Sequence, residues 1–237
     1  LEHVSEKQGA EYLEVLKTNN IEIFNLAIKT VLLSDSQGNP FKFKYNDCQI
    51  PLSPTTLRYV KVASDLEKLF GKELGDVVEI GCGYGGQTLV NDQLLNVRKA
   101  TLFDLPLVNK LIDRYLDAYL LRGAFKTTVL NKESVSEYDL VISNYAFSEL
   151  PKELQLKYID KVLSHCKKGY LTMNDGLGTE RSIGKLSFKE LSSFLPKFEI
   201  LEEKPLTGQH NYIIVWGHDK NKARNHFVIK SHQNKTG

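Results

Sequence analysis

The sequence predicts an α/β protein: a mostly parallel, seven-stranded sheet wrapped by helices, with a helical cap before it and a β-hairpin at its C-terminal end. Three observations carry that prediction. From Gly75 onward, short apolar strand-like runs alternate with helical ones, the rhythm of parallel strands joined by helical crossovers. The first run leads into "GCGYGG", a glycine-dense turn that opens a helix. The last two runs, "KFEILEEKP" and "NYIIVWG", are joined by "LTGQH" with no helix between them, so they should pair antiparallel.

Residues 1–74 read as a helical cap. "EYLEVLKTNNIEIFNLAIKTVLL" has the spacing of one or two amphipathic helices, "SDSQGNPFKFKYNDCQIPLSP" is rich in turn signals, and "TTLRYVKVASDLEKLFG" is a helix capped by Ser53 or Thr55. Residues 75–217 form the sheet domain. "DVVEI" is its first strand, followed by a helix through Leu95 and the strand "ATLFD". "LVNKLIDRYLDAYLL" places apolar residues at 107, 108, 111, 112, 115, 116, 119 and 120, the stripe of an amphipathic helix. "KTTVL" and "YDLVISN" are the next strands, "KELQLKYIDKVLSHC" a helix with Pro151 at its first turn, and "GYLTMND" the fifth strand. Residues 218–237 carry five Lys or Arg and one Asp and read as a solvated basic tail.

Composition excludes several classes. The 237 residues are 41% hydrophobic and 25% charged, with 31 Lys and Arg against 29 Asp and Glu. That balance gives no nucleic-acid footprint. No apolar run approaches the roughly 20 residues that span a bilayer, and no signal-peptide pattern opens the chain. Cys48, Cys82 and Cys166 are scattered and odd in number. They form neither a disulfide framework nor a metal motif, so a reducing, cytoplasmic setting is expected. No His-rich or multi-carboxylate cluster calls for a metal.

The glycine turn admits two cofactors. Gly81, Gly83 and Gly86 match the dinucleotide spacing G-x-G-x-x-G, and Gly81, Gly83 and Gly85 match the tighter spacing of S-adenosylmethionine (SAM) sites. Asp104, after the second strand, would bind ribose hydroxyls in either. Three features favour SAM. Glu79 lies two residues before the first glycine, where an acid meets SAM's cationic end but repels a pyrophosphate. The C-terminal hairpin is the second. The third is "DLVISNYAFSELP", whose strand ends in polar and aromatic residues where a crevice would open.

In order along the chain, "EIGCGYGGQ", "FDLP", "YDLVISNYAFSELP", "GYLTMND" and "HNYIIVWG" resemble the bacterial sugar O-methyltransferase family. The upstream "LSPTTLRYVKVASDLEKLFG" is similar to that family's lead-in helix, so the resemblance spans roughly residues 36–217. It implies a Rossmann-like SAM methyltransferase fold and a role in capsular or other surface-glycan pathways. The acceptor would then be a small sugar, nucleotide sugar or capsule precursor, and S-adenosylhomocysteine (SAH) the product. A phosphoramidate or phosphate-linked capsule modification is a near variant. An NAD-dependent oxidoreductase, or a binding protein that keeps the fold alone, are readings of other classes.

Glu79, Gly81, Cys82, Gly83, Tyr84, Gly85 and Gln87 should line the methionine and ribose portions of SAM, Cys82 as a small residue that fits the turn. Asp104 should hold the ribose, Leu105 the adenine, and Asn144 and Tyr145 the amino-acid part or the acceptor. Methyl transfer must align an acceptor oxygen about 3 Å from the methyl carbon and take up the hydroxyl proton. His210, Glu149 and Asp175 are the candidate bases, because each follows or precedes a strand at the sheet's carboxyl edge. His210 is the leading one, being largely neutral near pH 7. Arg58, Tyr59, Phe147, Asn174 and Asn211 are candidate substrate ligands, the aromatic rings for stacking on a sugar face and Arg58 for a phosphate.

Overall fold

The computed structural model describes residues 4–30, 34–46, 48–131, 136–174 and 184–230. The cap begins with α1 (Glu6–Asn19), where Ser5 and Gln8 form a capping box, and continues into α2 (Ile21–Thr30). Next comes α3 (Pro54–Phe70), with Ser53 at its N-cap and Pro54 in its first turn. The buried carboxylate of Asp35 accepts the Ser53 N–H at 3.2 Å and the Thr56 hydroxyl. A buried anion thus sits where the helix dipole favours it.

β1 (Glu73–Ile80), β2 (Asn96–Phe103), β3 (Ala124–Thr128), β4 (Tyr138–Asn144) and β5 (Cys166–Met173) run parallel. β7 (Tyr212–Trp216) lies antiparallel between β5 and β6 (Glu199–Glu202). The sheet order is β3-β2-β1-β4-β5-β7-β6-β8. It comprises the seven expected strands plus β8 (Ile229–Lys230), a two-residue edge strand. The chain winds outward from β1 in one direction through β2 and β3, then returns to β4 on the other side. A crevice opens at such a reversal, outside the carboxyl ends of β1 and β4.

Strand period two sorts the core into two faces. Val77, Leu140, Ile142, Tyr170, Leu201 and Ile213 pack toward α3 and the cap. Val78, Ile80, Val141, Leu171, Ile200 and Ile214 pack on the opposite face, which α7 (Lys152–Lys161) and α8 (Phe188–Phe194) cover. On the α3 side, α4 (Gly86–Leu94) and α5 (Pro106–Leu116) complete the layer through Leu89, Leu102, Ile112 and Leu116.

Two expectations are corrected. The helix expected to run on past residue 116 ends at Leu116, and Leu107, Leu111 and Leu120 of its apolar stripe are exposed. The buried Asp92 carboxylate accepts the Arg122 N–H at 3.0 Å and the Gly123 N–H at 2.8 Å, drawing the chain into β3. The expected solvated tail folds back as far as residue 230. Asp219 N–H bonds the Leu69 carbonyl at 3.3 Å, and α9 (Lys220–His226) buries Ala223 against the cap-side core. β8 then pairs with β6.

Candidate functional site

The glycine turn is fixed by what surrounds it. Gly81, at φ 74°, would place a Cβ 2.1 Å from that of Ala146, the first residue of the short helix α6 (Ala146–Glu149). Only glycine fits between the ends of β1 and β4. Gly83, at φ 58°, has nothing within 4 Å of such an atom. The turn therefore faces an open cradle there. Asp104 holds it from β2: its carboxylate accepts the Cys82 N–H and the Leu105 N–H, each at 2.8 Å. Each oxygen keeps a second lone pair for a ligand hydroxyl. Leu105, beside it, is 69% exposed despite its size.

Glu79 shares the α3 face with Val77 and is buried, accepting the Thr88 hydroxyl at 2.7 Å. Burial pushes its carboxyl up to about 7; the Thr88 hydrogen bond pulls against this, and the nearby Asp104 charge adds to it. Asn144, at the end of β4, donates to Gln87 Oε1 at 3.4 Å and accepts from the Thr172 hydroxyl at 3.4 Å.

Several predicted residues do other work. Gln87 is fully buried, its amide spent on the Tyr59 carbonyl at 3.1 Å and Asn91 at 2.9 Å. It braces α3 and β4 against α4. The Cys82 thiol points inward to the Glu79 carbonyl at 3.3 Å, and burial raises its pKa. Tyr84 turns its ring between Tyr59 and Tyr115, at 6.0 and 4.9 Å. Gly85 abuts Ile112 and Leu116. Tyr59 is buried against Gly86, and Phe147 is 0% exposed within the opposite core, so neither ring can stack on a sugar. They occupy apolar positions that the layers claim first.

Of the candidate bases, His210 and Glu149 are exposed at the carboxyl edge, and Asp175 lies outside the described residues. Asn174 uses its backbone, its N–H on Ser148 Oγ at 2.8 Å and its carbonyl on Lys185 at 3.0 Å. Asn211 is buried, donating to Thr207 at 2.9 Å, with its Oδ1 left without a partner.

A buried carboxylate that no motif singles out follows β6 on the cap side of this edge. Glu203 is 4% exposed and accepts the Tyr145 hydroxyl, the Thr207 N–H at 2.9 Å and the Thr207 hydroxyl at 2.8 Å. Tyr145 reaches it from a positive φ of 70°, which a non-glycine residue holds only at a cost of about 1–3 kcal/mol. Burial first, then the Glu203 charge, raises the Tyr145 phenol's pKa and keeps it protonated. Tyr145 and Glu203, with Tyr12, Arg58 and Lys61, wall a cavity of about 10 Å³, room for about one water. Glu203 lies two residues beyond the buried Leu201, so strand alternation turns it to the cap side. That was the available signal.

A mostly parallel sheet whose antiparallel β7 lies between β5 and β6, with a glycine turn after β1 and an acid after β2, is the Rossmann-like methyltransferase fold. No protein-family model matches the chain, and no curated protein does. Among solved structures it is similar to magnesium protoporphyrin IX methyltransferase from Synechocystis PCC 6803, solved with bound SAH. The two are 16% identical with a TM-score of 0.52, over 72% of this chain and 89% of that one. It is also similar to a protein of Pyrococcus horikoshii OT3, at 14% identity and a TM-score of 0.53, over 74% of this chain and 95% of that one. At these identities the likeness establishes the fold and leaves the chemistry to the residues. Among the described residues no group of three or more His, Cys, Asp or Glu is placed to hold a metal, and no helix is long and apolar enough to cross a membrane.

The raised Glu79 carboxyl predicts a pH signature. Unfolded, it titrates near 4.5; folded, near 7. Below pH 4.5 both states bind the proton and nothing is gained or lost. Between about 4.5 and 7 the unfolded state gives up its proton while the folded state keeps it, so roughly 3 kcal/mol of stability is lost across that window, and none further above it. Glu79→Gln should therefore be more stable than wild type in urea denaturation at pH 8 and similar to it near pH 4.5. An equal difference at both pH values contradicts the buried, protonated carboxyl.

Proposed function

We propose that this chain is a SAM-dependent methyltransferase whose acceptor is a hydroxyl group. The observation that carries the proposal is the open cradle at Gly83, at the β1–β4 reversal, held by a carboxylate that keeps free lone pairs. Asp104 suits the two vicinal hydroxyls of a ribose, and exposed Leu105 offers an apolar surface to an adenine. Glu79 and Asn144 face the amino-acid end. A dinucleotide fits less well, because its pyrophosphate would lie beside the buried Glu79 carboxyl, which becomes a charge as pH rises through about 7. For the acceptor, the motif resemblance favours a sugar or a sugar-linked precursor of a bacterial surface polysaccharide, made in the cytoplasm. A phosphate-linked capsule modification is the near variant.

When bound, the cofactor supplies a methyl group on a sulfonium, whose departure leaves a neutral thioether. The chain must align the acceptor oxygen and take its proton. Tyr145 donates its phenolic hydrogen to Glu203, and its oxygen, 3.0 Å from the Thr207 hydroxyl, keeps a lone pair that takes the acceptor's proton while its own passes to the carboxylate. The acceptor O–H bond breaks, a C–O bond forms, and a buried carboxylate becomes neutral as the cationic charge is lost. On this reading Glu203, acting through Tyr145, is the base, with His210, Glu149 and Asp175 as the alternatives.

In a thermal-shift assay SAH should raise the melting temperature, since a ligand of the native state alone stabilises it by mass action, and NADH should not. Gly83→Ala should weaken the SAH shift by filling the cradle. Stabilisation by NADH with none by SAH overturns the reading.

With nucleotide sugars as acceptors, Glu203→Gln should lower turnover by roughly 10² to 10⁴ and leave SAH affinity near wild type. Tyr145→Phe should do the same, whereas His210→Ala should keep most activity. The reverse pattern moves the base to His210.

A further inference from the structure

One cation at the site has no carboxylate within ion-pair distance among the described residues. α3 carries Arg58 and Lys61 one turn apart, both on the wall of the small cavity beneath the cap. Lys61 is neutralised, its Nζ 2.6 Å from Asp65 Oδ2 with both side chains buried, and the Tyr170 hydroxyl donates to the same oxygen at 2.7 Å. Arg58 has no such partner. Its Nε is buried without a hydrogen-bond acceptor, and among the described residues no carboxylate lies within ion-pair distance of its guanidinium. Its company is the Tyr59 ring, 5.4 Å away, and the phenols of Tyr12 and Tyr145. Those phenols are neutral, burial having raised both. Glu203, across the cavity, is already engaged by Tyr145 and Thr207.

Arg58 is partly buried, and holding its guanidinium there with the Nε unpartnered is costly unless a ligand brings an acceptor and the missing charge. Its planar N–H fork matches a carboxylate or phosphate in two-pronged fashion, which a lysine does not. We propose that Arg58 is the oxyanion-binding residue of this site, taking a carboxylate or phosphate carried by a bound ligand. Two sources share that chemistry: the α-carboxylate of the cofactor, which rests on the methyltransferase reading, and a phosphate on the acceptor. The first fits the position of Arg58 one residue from Tyr59, which touches the glycine turn, with Asn144 and Tyr145 sharing its cavity. The second fits the cavity's reach to Glu203 and Lys204.

The test is calorimetric titration of the full chain with SAH, with 5′-methylthioadenosine, which lacks the amino-acid part, and with UDP-glucose. Arg58→Met keeps the side-chain stem over Tyr59 and removes the charge. It should weaken SAH or UDP-glucose by about 10- to 100-fold, the size of a charge-assisted hydrogen bond, and leave 5′-methylthioadenosine unchanged. Loss of SAH assigns the cofactor's carboxylate; loss of UDP-glucose assigns the acceptor's phosphate. The variant's melting temperature should hold or rise, because an unpaired cation has gone. Wild-type affinity of Arg58→Met for every ligand the wild-type chain binds overturns the proposal. So does equal weakening of 5′-methylthioadenosine, or a fall in melting temperature with all ligands weakened together, which marks a structural arginine. A wild-type chain that binds SAH and fails only in the Arg58 comparison sinks this inference alone. One that binds none of the three contradicts the methyltransferase reading, and this proposal with it.

Discussion

The Asp104 carboxylate ties together three elements that would otherwise meet only through a flexible turn. It ends β2, and it accepts one N–H from the glycine turn after β1 and one from the entry to α5. Two charge-assisted hydrogen bonds in a half-buried setting are worth roughly 1.5–3 kcal/mol each. They set the height of the turn above the sheet. Gly81 then meets Ala146 closely enough that β1 and β4 are locked side by side, and Gly83 is left standing over open space. The crevice is thus a consequence of the clamp rather than of the glycines alone.

Strand alternation decides the polarity of the rest. Glu79, Asn144, Thr172 and Glu203 each continue a cap-facing register, following Val77, Ile142, Tyr170 and Leu201 respectively. One face of the sheet therefore changes from apolar core to polar edge within a single residue pair on each strand. The cap helices close that edge, and α3 lays Arg58, Lys61 and Asp65 over it. Lys61 and Asp65 neutralise one another in a buried pair. Glu203 is stabilised instead by hydroxyls and one backbone N–H, and a carboxylate so held can accept a proton without breaking an ion pair.

The layered sheet, the hairpin and the glycine turn were legible because apolar period and turn chemistry are local signals. The cap at Ser53 or Thr55 and the helical character of the prelude were legible for the same reason, though not which residue caps or whether the prelude is one helix or two. The end of α5 was not, since Asp92, thirty residues before Arg122, supplies the bonds that stop it. The folded-back segment after Gly217 was masked by its own charge: Ala223, fully buried, is too small to register as an apolar stripe. The glycine turn and the acid after the second strand are local signals and meet as expected at the strand ends, whereas Gln87 and Phe147 were polar or aromatic side chains that the packing had already claimed. Glu203 sits among other glutamates in "EILEEKP", and only the face of its strand distinguishes it.

Hydrogen–deuterium exchange with and without SAH tests the central claim, that the β1–β4 reversal is the ligand site. The chain also has an apolar groove of about 660 Å³ between residues 37–41 and α5, lined by Phe41, Leu111 and Tyr115, so the competing location is specific. Bound SAH should slow exchange in peptides covering 79–87, 103–106 and 142–146. Protection confined to 37–41 and 111–118, or no protection anywhere, would contradict the account.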